Sequence, residues 1–263
     1  MCAWRPVHEP TPAGLKIHRA VTEADGAKLR SLLMENNEDV DELDEAGMTP
    51  FRRAVRMKDI GMTCTLLRAG ANANHSAKDS TALIDAVHSC SSNIFDELLK
   101  VHGIDVNFRS SLGYSALFWA CSSKNVDAVE ALLTIPHIEV NAISIQDNMT
   151  PLIEASRLLH CNICELMLED PRVNILARDR YDRTAFVAVA EAHMDSDDMQ
   201  DFSLDRKIKV TNLFIAADYG RHELRKEDDL KDAISAAVKR ATENPDDEDA
   251  QTYADYISNL FDN

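Results

Sequence analysis

A segment of about nine residues recurs five times along this chain, and its regular spacing constrains the fold more than any other feature. The hydroxyl residue at the same place in each copy, here called the anchor, recurs after 32, 34, 35 and 34 residues. A period of this length is typical of small structural units that cannot bury their apolar faces alone and must stack on their neighbours. The copies are GMTPFRRAV (47–55), DSTALIDAV (79–87), GYSALFWAC (113–121), NMTPLIEAS (148–156) and DRTAFVAVA (182–190), with anchors Thr49, Thr81, Ser115, Thr150 and Thr184.

Each copy predicts two helices followed by an irregular finger. The anchor oxygen can accept a hydrogen bond from an unpaired amide of the first helical turn. Pro50 and Pro151 follow at the first helical position, where a missing N–H costs nothing. A weaker first copy, LKIHRAV (15–21), lies one period before Thr49. The second helices end in apolar pairs that stand 17 and 18 residues after the anchor position: Leu32-Leu33, Leu66-Leu67, Leu98-Leu99, Leu132-Leu133 and Met167-Leu168.

This pattern resembles the ankyrin repeat, whose signature G-x-T-P-L-H-x-A-A … L-L-x-x-G-A-x-h-N these copies share over roughly residues 15–217. The resemblance implies an all-α solenoid of about six helix-turn-helix repeats with finger loops. One departure concerns the family's histidine after T-P-L, which remains only as His18. Other side chains replace it in the later copies: Arg52, Ile84, Phe118, Ile153 and Val187.

The two ends of the chain differ from the repeats. We expect an N-terminal tail over 1–13, a repeat domain over 14–225 and an acidic helical cap over 226–263. The sixth repeat carries its apolar pair late, as Leu213-Phe214, which predicts an acidic insertion at about 194–205. In the cap, the segment 227–243 has helical spacing and places Leu230, Ile234 and Val238 on one face. A polar terminal pair of helices is typical of the last unit in a stack.

The stretch HCNIC (160–164) looks like half of a zinc site or a redox pair. In register with the other copies, however, Cys161 and Cys164 fall in columns of the second helix that mostly hold small or apolar residues. Cysteine in such a column behaves as a small hydrophobe. A structural zinc ion needs four ligands, and no second pair at suitable spacing accompanies this one. We therefore expect core packing here, and neither a metal nor a cofactor anywhere in the chain.

The charge of the chain restricts its partners. It has 45 acidic residues against 28 Lys and Arg, and residues 191–263 alone hold 19 acids against 9 Lys and Arg. A net charge of −17 repels phosphate backbones, so we expect no nucleic-acid binding. No apolar run is long enough to cross a membrane. Six dispersed cysteines are typical of reduced thiols, which favours a cytoplasmic location with the nucleus as the alternative.

The resemblance implies a non-enzymatic scaffold or adaptor that binds a protein segment in the concave groove of the stack. The sequence has no G-x-S-x-G or H-E-x-x-H motif and no phosphate-cradling glycine loop, which argues against catalysis. Three alternatives stay open. One is an inhibitor or regulator that uses the acidic C-terminal region against a basic partner segment, and another is a substrate adaptor for ubiquitin ligation. The third is a purely structural role as a spacer in a larger assembly.

The resemblance also implies which positions contact a partner: the fingers, the residue before each anchor and the exposed side of each first helix. Tyr114 and Trp119 lead the prediction, because exposed aromatic residues are enriched at binding hot spots. The alternative is that Trp119 packs against the next repeat and Tyr114 supports a finger. The full predicted set is Met48, Arg53, Arg56, Met57, Asp85, His88, Tyr114, Trp119, Ser122, Met149, Glu154, Arg157, Tyr181 and Arg183.

Overall fold

The computed structural model describes residues 15–35, 39–76, 79–192, 203–221, 228–243 and 248–261. Within these ranges the chain forms helices and no strands, which confirms the all-α prediction. The chain divides into two compact units, 1–105 and 106–263, which hold α1–α6 and α7–α14. The helices are α1 (Lys16–Thr22), α2 (Gly26–Glu35), α3 (Pro50–Arg56), α4 (Ile60–Arg68), α5 (Ala82–Ser89), α6 (Ser92–Leu99), α7 (Ala116–Ser122), α8 (Val126–Leu133), α9 (Pro151–Arg157), α10 (Cys161–Glu169), α11 (Ala185–Glu191), α12 (Ser203–Arg221), α13 (Asp228–Glu243) and α14 (Glu248–Phe261).

Both units are built from stacked helix pairs. In the first unit, α1, α3 and α5 pack side by side, and α2, α4 and α6 form a second row behind them. In the second unit, α7, α9 and α11 form the row of first helices, and α8, α10 and α12 form the row of second helices. Each pair coincides with one predicted repeat, so the predicted helix-turn-helix units are confirmed.

The anchors cap the first helices as the sequence predicts. The hydroxyl oxygens of all five accept a hydrogen bond from the backbone N–H three residues later, at distances of 3.2 to 3.5 Å. All five anchors are buried. Leu15, which holds the anchor position of the first copy, provides no side-chain cap. These caps satisfy amides that would otherwise be unpaired at buried helix ends.

Two kinds of turn adopt the left-handed conformation, each at five places among the described residues, which the sequence analysis did not anticipate. The first turn precedes the anchor by two residues and holds Gly47, Asp79, Gly113, Asn148 and Asp182, residue types that tolerate positive φ. The second turn joins the two helices and holds Ala24, Lys58, Cys90, Lys124 and Leu159, with φ between 52° and 60°. None of these five is glycine, so each inter-helix turn keeps a backbone strain of about 1 kcal/mol.

The sixth helix pair follows the irregular prediction in part. Phe214, from the late apolar pair, is fully buried on α12 and its ring lies edge-on to that of Phe186, with centroids 5.7 Å apart. Helix α12 begins at Ser203, so the last residues of the predicted 194–205 insertion are helical. The rest of that insertion and the predicted 1–13 tail lie outside the described residues.

The last two helices occupy the place of a further pair in the second unit. Helix α13 packs against α11, and α14 packs against α12 and α13, which repeats the arrangement of the preceding pairs. The contact face of α13 differs from the prediction, because Ala233 and Ala237 are buried while Val238 is 42% exposed. Small residues allow α13 to approach the alanine-rich α11 closely. On α14, Tyr253 is buried and shares a 2.8 Å hydrogen bond with the hydroxyl of Thr211.

The cysteines of the HCNIC stretch differ in their surroundings. Cys164 is fully buried in the second unit, where burial raises the pKa of its thiol to about 12. That placement agrees with the predicted packing role. Cys161, by contrast, is only half-buried and lines a surface cavity at the start of α10. No group of three or more potential metal ligands occurs among the residues that the structure describes.

Candidate functional site

Polar side chains fix the finger turns of the second unit by accepting hydrogen bonds from backbone amides. The oxygen atoms of Ser110 and Ser144 accept hydrogen bonds from the backbone N–H groups of Tyr114 and Met149, at 3.1 and 3.0 Å. Asp179 plays the same part in the last finger and accepts from the N–H of Arg183 at 3.0 Å. Each contact fixes the residue that immediately precedes an anchor. The sequence analysis missed these residues, although each stands five or six positions before its anchor.

Backbone hydrogen bonds join the three fingers of the second unit. The N–H of Ile145 donates to the carbonyl of Leu112 at 2.8 Å, and the N–H of Arg180 donates to the carbonyl of Asp147 at the same distance. The first junction is tight at Gly113, where a β-carbon would lie 2.9 Å from two backbone atoms of the next finger. The fingers between residues 110 and 183 therefore form one continuous edge.

Three aromatic rings cluster beside this edge. The rings of Tyr114 and Phe118 stack with centroids 4.5 Å apart, and Trp119 meets Tyr114 edge-on at 5.3 Å. Phe118 is buried, whereas Tyr114 and Trp119 are half-buried. Tyr114 thus packs on Phe118 of its own repeat, and both Tyr114 and Trp119 still present surface to solvent.

Glu154 organises the next repeat. Its carboxylate is buried and accepts a hydrogen bond from the Ser122 hydroxyl of the preceding repeat at 3.0 Å. The guanidinium of Arg157 pairs with the same carboxylate at 3.0 Å, while its side chain remains 45% exposed. Ser122 and Glu154 are therefore mutual partners, and Arg157 is the member of this predicted group that faces solvent.

The last finger places Tyr181 between two arginines. The guanidinium carbons of Arg180 and Arg183 lie 5.2 and 4.8 Å from its ring centroid, and the residue is 61% exposed. Arg183 also pairs with Asp179 at 2.6 Å and with Glu191 at 2.7 Å. The charges of Arg183 are therefore paired within the fold, and the Tyr181 ring is the exposed apolar surface of this finger.

Most of the predicted residues of the first unit form hydrogen bonds or ion pairs within that unit. Met48 is buried, and the guanidinium of Arg56 lies 3.2 Å from its sulfur. Arg53 pairs with the buried Asp44, which also accepts the N–H of Met48 at 2.9 Å. Burial lowers the pKa of Arg56, an effect that Asp85 opposes.

Asp85 forms a second ion pair in the first unit, with the buried Arg52. Its carboxylate accepts from Arg52 Nε and Nη2 at 3.0 and 2.8 Å and from the Ser80 hydroxyl at 3.1 Å. The Arg52 residue is only 1% exposed, so arginine fills the buried position that holds His18 in the first repeat. His88 and Met57 lie on the surface, and desolvation lowers the pKa of His88.

The comparisons with known proteins point to one family. The family model described as ankyrin repeats (3 copies) matches residues 17–110 and 90–179. The chain is 30% identical over 105 residues to the putative ankyrin repeat protein FPV034 of fowlpox virus, which spans 40% of this chain and 25% of that protein. It is 35% identical over 103 residues to neurogenic locus notch homolog protein 1 of Mus musculus, across 38% of this chain and 4% of that protein. The chain thus matches a quarter or less of the length of these relatives.

Solved structures show the same fold. The ankyrin repeat domain of Bcl-3, a member of the IkappaB protein family, has a TM-score of 0.65 at 19% identity and covers 77% of this chain and 85% of its own. The ankyrin repeat protein EF0377 has a TM-score of 0.65 at 23% identity over 76% and 96%. An ankyrin repeat domain of Acinetobacter baumannii has a TM-score of 0.64 at 21% identity over 77% and 97%.

Proposed function

Since the chain belongs to the ankyrin-repeat family, we propose that it is a non-enzymatic adaptor that holds a partner segment against the fingers and first helices of residues 106–263. Ankyrin repeats are generally protein–protein interaction modules, so protein binding is the general role. The observation that carries the finer proposal is the continuous finger edge with Tyr114 and Trp119 half-exposed beside it. A rigid edge lowers the entropic cost of ordering the surface on binding.

The exposed side chains along this edge indicate the chemistry of the partner. Large apolar or aromatic residues protrude at the finger tips, with 47% exposure at Leu112, 67% at Ile145 and 61% at Tyr181. The neighbouring charges are already paired within the fold, as at Arg183 and Glu154. We therefore expect an extended partner segment that inserts apolar side chains among the finger tips, and whose affinity depends little on salt concentration.

The C-terminal helices support a capping role in this proposal. Helices α13 and α14 cover α11 and α12 in the same way as the preceding pairs cover one another. Acidic side chains such as Asp232, Asp249 and Asp255 are exposed on them. A cap needs a packed inner face and a polar outer face, and this pair has both. Two of the alternatives, an inhibitor of a basic partner and an adaptor for ubiquitin ligation, require these helices to bind instead.

Affinity purification with three variants of the full chain tests the proposal. We expect Tyr114→Ala combined with Trp119→Ala to weaken partner binding by about 700-fold, because two truncated hot-spot residues at about 2 kcal/mol each cost about 4 kcal/mol together. Tyr256→Ala is the matched control, since Tyr256 is a half-buried aromatic residue on α14 that bonds Asn212 at 2.8 Å. Asp232→Asn combined with Asp249→Asn tests the acidic alternative.

The outcomes separate the hypotheses. Loss of the partner in the finger-edge double variant, with binding retained in the other two, supports the proposal. Retention of every partner by a double variant whose circular dichroism matches the parent chain excludes it. Loss of the partner in the Asp232/Asp249 variant alone favours the acidic alternative.

None of the described helices combines the length and apolar character needed to cross a membrane. The described cysteines are free thiols, which supports the cytoplasm or nucleus as the compartment.

A further inference from the structure

A surface cavity in the second unit lies away from the finger edge, where the inter-helix turns meet α12. Its volume is about 270 Å³, and we call it the α10 cavity because the first turn of α10 forms one wall. Lys124 contributes from the turn between α7 and α8, and Arg206 and Lys209 contribute from α12. His160 and Cys161 complete the wall at the start of α10. No acidic residue lines the cavity within the described part of the chain.

The three cations of the α10 cavity differ from several arginines of this unit that form ion pairs. Arg157, Arg172 and Arg183 each pair with a nearby carboxylate at 3.0 Å or less. Lys124, Arg206 and Lys209 form no ion pair with any described residue, although the chain carries a net charge of −17. Three cations that converge on one cavity repel one another, and a bound anion removes that repulsion.

The start of α10 adds the partial positive charge of a helix N-terminus to this positive field. His160 is the N-cap residue, but its side chain does not cap the helix. Its ring instead uses Nδ1 to bond the carbonyl of Cys121 at 2.8 Å. The amides of Cys161 and Ile163 already donate to the carbonyls of Leu159 and His160, at 3.0 and 2.9 Å, so the helix start acts on an anion mainly through its partial positive charge. The cations and the helix dipole therefore act on the same space.

The cations of the α10 cavity act on the pKa values of two residues of its wall, His160 and Cys161. Burial is the largest cause that lowers the pKa of His160, and Lys124 and Arg206 lower it further. Burial raises the pKa of Cys161, while Lys209, Arg206 and Lys124 all oppose that rise. Both groups thus experience positive charge from more than one element of the fold.

We propose that the α10 cavity binds a phosphoryl group, either as free phosphate or as the phosphorylated side chain of a partner. Three cations together with the partial positive charge of a helix start match a tetrahedral dianion, whereas a single carboxylate would leave most of this positive charge uncompensated. This site is independent of the finger edge, and its failure would leave the proposed function untouched.

Titration of the full chain with inorganic phosphate at constant ionic strength tests the site. We expect saturable shifts of the backbone amide resonances of residues 161–163, and about tenfold weaker binding in Lys124→Gln and in Arg206→Gln. Lys58→Gln is the matched control, because Lys58 holds the equivalent position in the turn between α3 and α4, with a φ of 60° against 59° at Lys124. The cavity beside Lys58 contains no other cation among its described lining residues.

A phosphoserine peptide and its unphosphorylated form identify the source of the group. Tighter binding of the phosphopeptide than of inorganic phosphate, lost in Lys124→Gln, assigns the cavity to a partner's side chain. Equal binding of the two assigns it to the free anion. The proposal is overturned if phosphate causes no saturable shift in the parent chain, or if Lys58→Gln weakens binding as much as Lys124→Gln does.

Discussion

Substitution of Gly113 by alanine tests whether the close approach of two fingers maintains the binding edge. Gly113 has φ of 82°, and an added β-carbon would lie 2.9 Å from the carbonyl oxygen of Ile143 and 2.9 Å from the amide nitrogen of Ile145. Both are backbone atoms, so no side-chain rotation relieves the contact. The finger that holds Ile143 and Ile145 has to move away instead. Gly70 is the matched control, because its φ is 88° and an added β-carbon would meet nothing within 4 Å.

The expected cost of Gly113→Ala has two parts. The left-handed conformation costs an alanine about 1 kcal/mol at Gly70 and Gly113 alike. Overpacking against backbone at Gly113 adds about 1–3 kcal/mol. Movement of the finger also breaks the 2.8 Å hydrogen bond from Ile145 to Leu112, which contributes about 1 kcal/mol. Gly113→Ala is therefore expected to destabilise the chain by about 2–4 kcal/mol more than Gly70→Ala does.

Two measurements check this prediction. Urea denaturation followed by circular dichroism gives the free energy of unfolding of each variant. Native-state hydrogen exchange reports on the finger itself, and we expect the amide of Ile145 to exchange at least tenfold faster in Gly113→Ala than in the parent. Equal destabilisation by the two substitutions, with unchanged exchange at Ile145, would refute the argument that the finger junction depends on this close approach.

Two further predictions concern buried groups. Arg52→Met removes the guanidinium that pairs with the Asp85 carboxylate and is expected to lower the free energy of unfolding by about 3 kcal/mol. Adding Asp85→Asn should recover part of this loss in urea denaturation. Losses that are purely additive would contradict the pairing. Burial raises the pKa of Cys164 from 9.0 to about 12, so its contribution to stability is complete below pH 9 and decreases by about 1.4 kcal/mol per pH unit as the pH rises towards 12. Above pH 9, the urea midpoint of unfolding of Cys164→Ala should therefore depend less on pH than the midpoint of the exposed-site control Cys90→Ala. Parallel pH profiles of the two variants would contradict this prediction.

The repeat arrangement was predictable because a single column of residues records it. A hydroxyl that must cap a buried helix end recurs at a fixed period, and all five anchors do cap. The face of α13 was not predictable from periodicity alone. Val238 shares the helical spacing of a core face with Ile234, but it is 42% exposed, whereas the small residues Ala233 and Ala237 are buried in the helix that packs on α11. Hydrophobicity alone does not decide which face allows the closer approach.

The candidate site was predictable by position and less so by role. Residues before the anchors and along the first helices do lie beside the fingers, but the sequence does not reveal which of them pair with one another. Asp85 and Glu154 look like free surface acids in the sequence, whereas the structure buries them against Arg52 and Ser122. Such pairings join residues 32 or 33 positions apart, so they depend on the stacking of neighbouring repeats and not on local pattern.

In the finger edge, the residues that fix the backbone differ from the residues whose side chains reach the surface. Ser110 and Asp179 fix the fingers through backbone amides, and these contacts do not depend on which side chain follows at the residue before the anchor. That position accordingly holds tyrosine at 114 and arginine at 183 with matching backbone hydrogen bonds in the two fingers. A substitution at this position leaves the supporting hydrogen bond to the backbone amide in place, whereas loss of the supporting hydroxyl or carboxylate leaves a finger amide unpaired. This division explains how one repeated backbone can present different chemistry in each repeat.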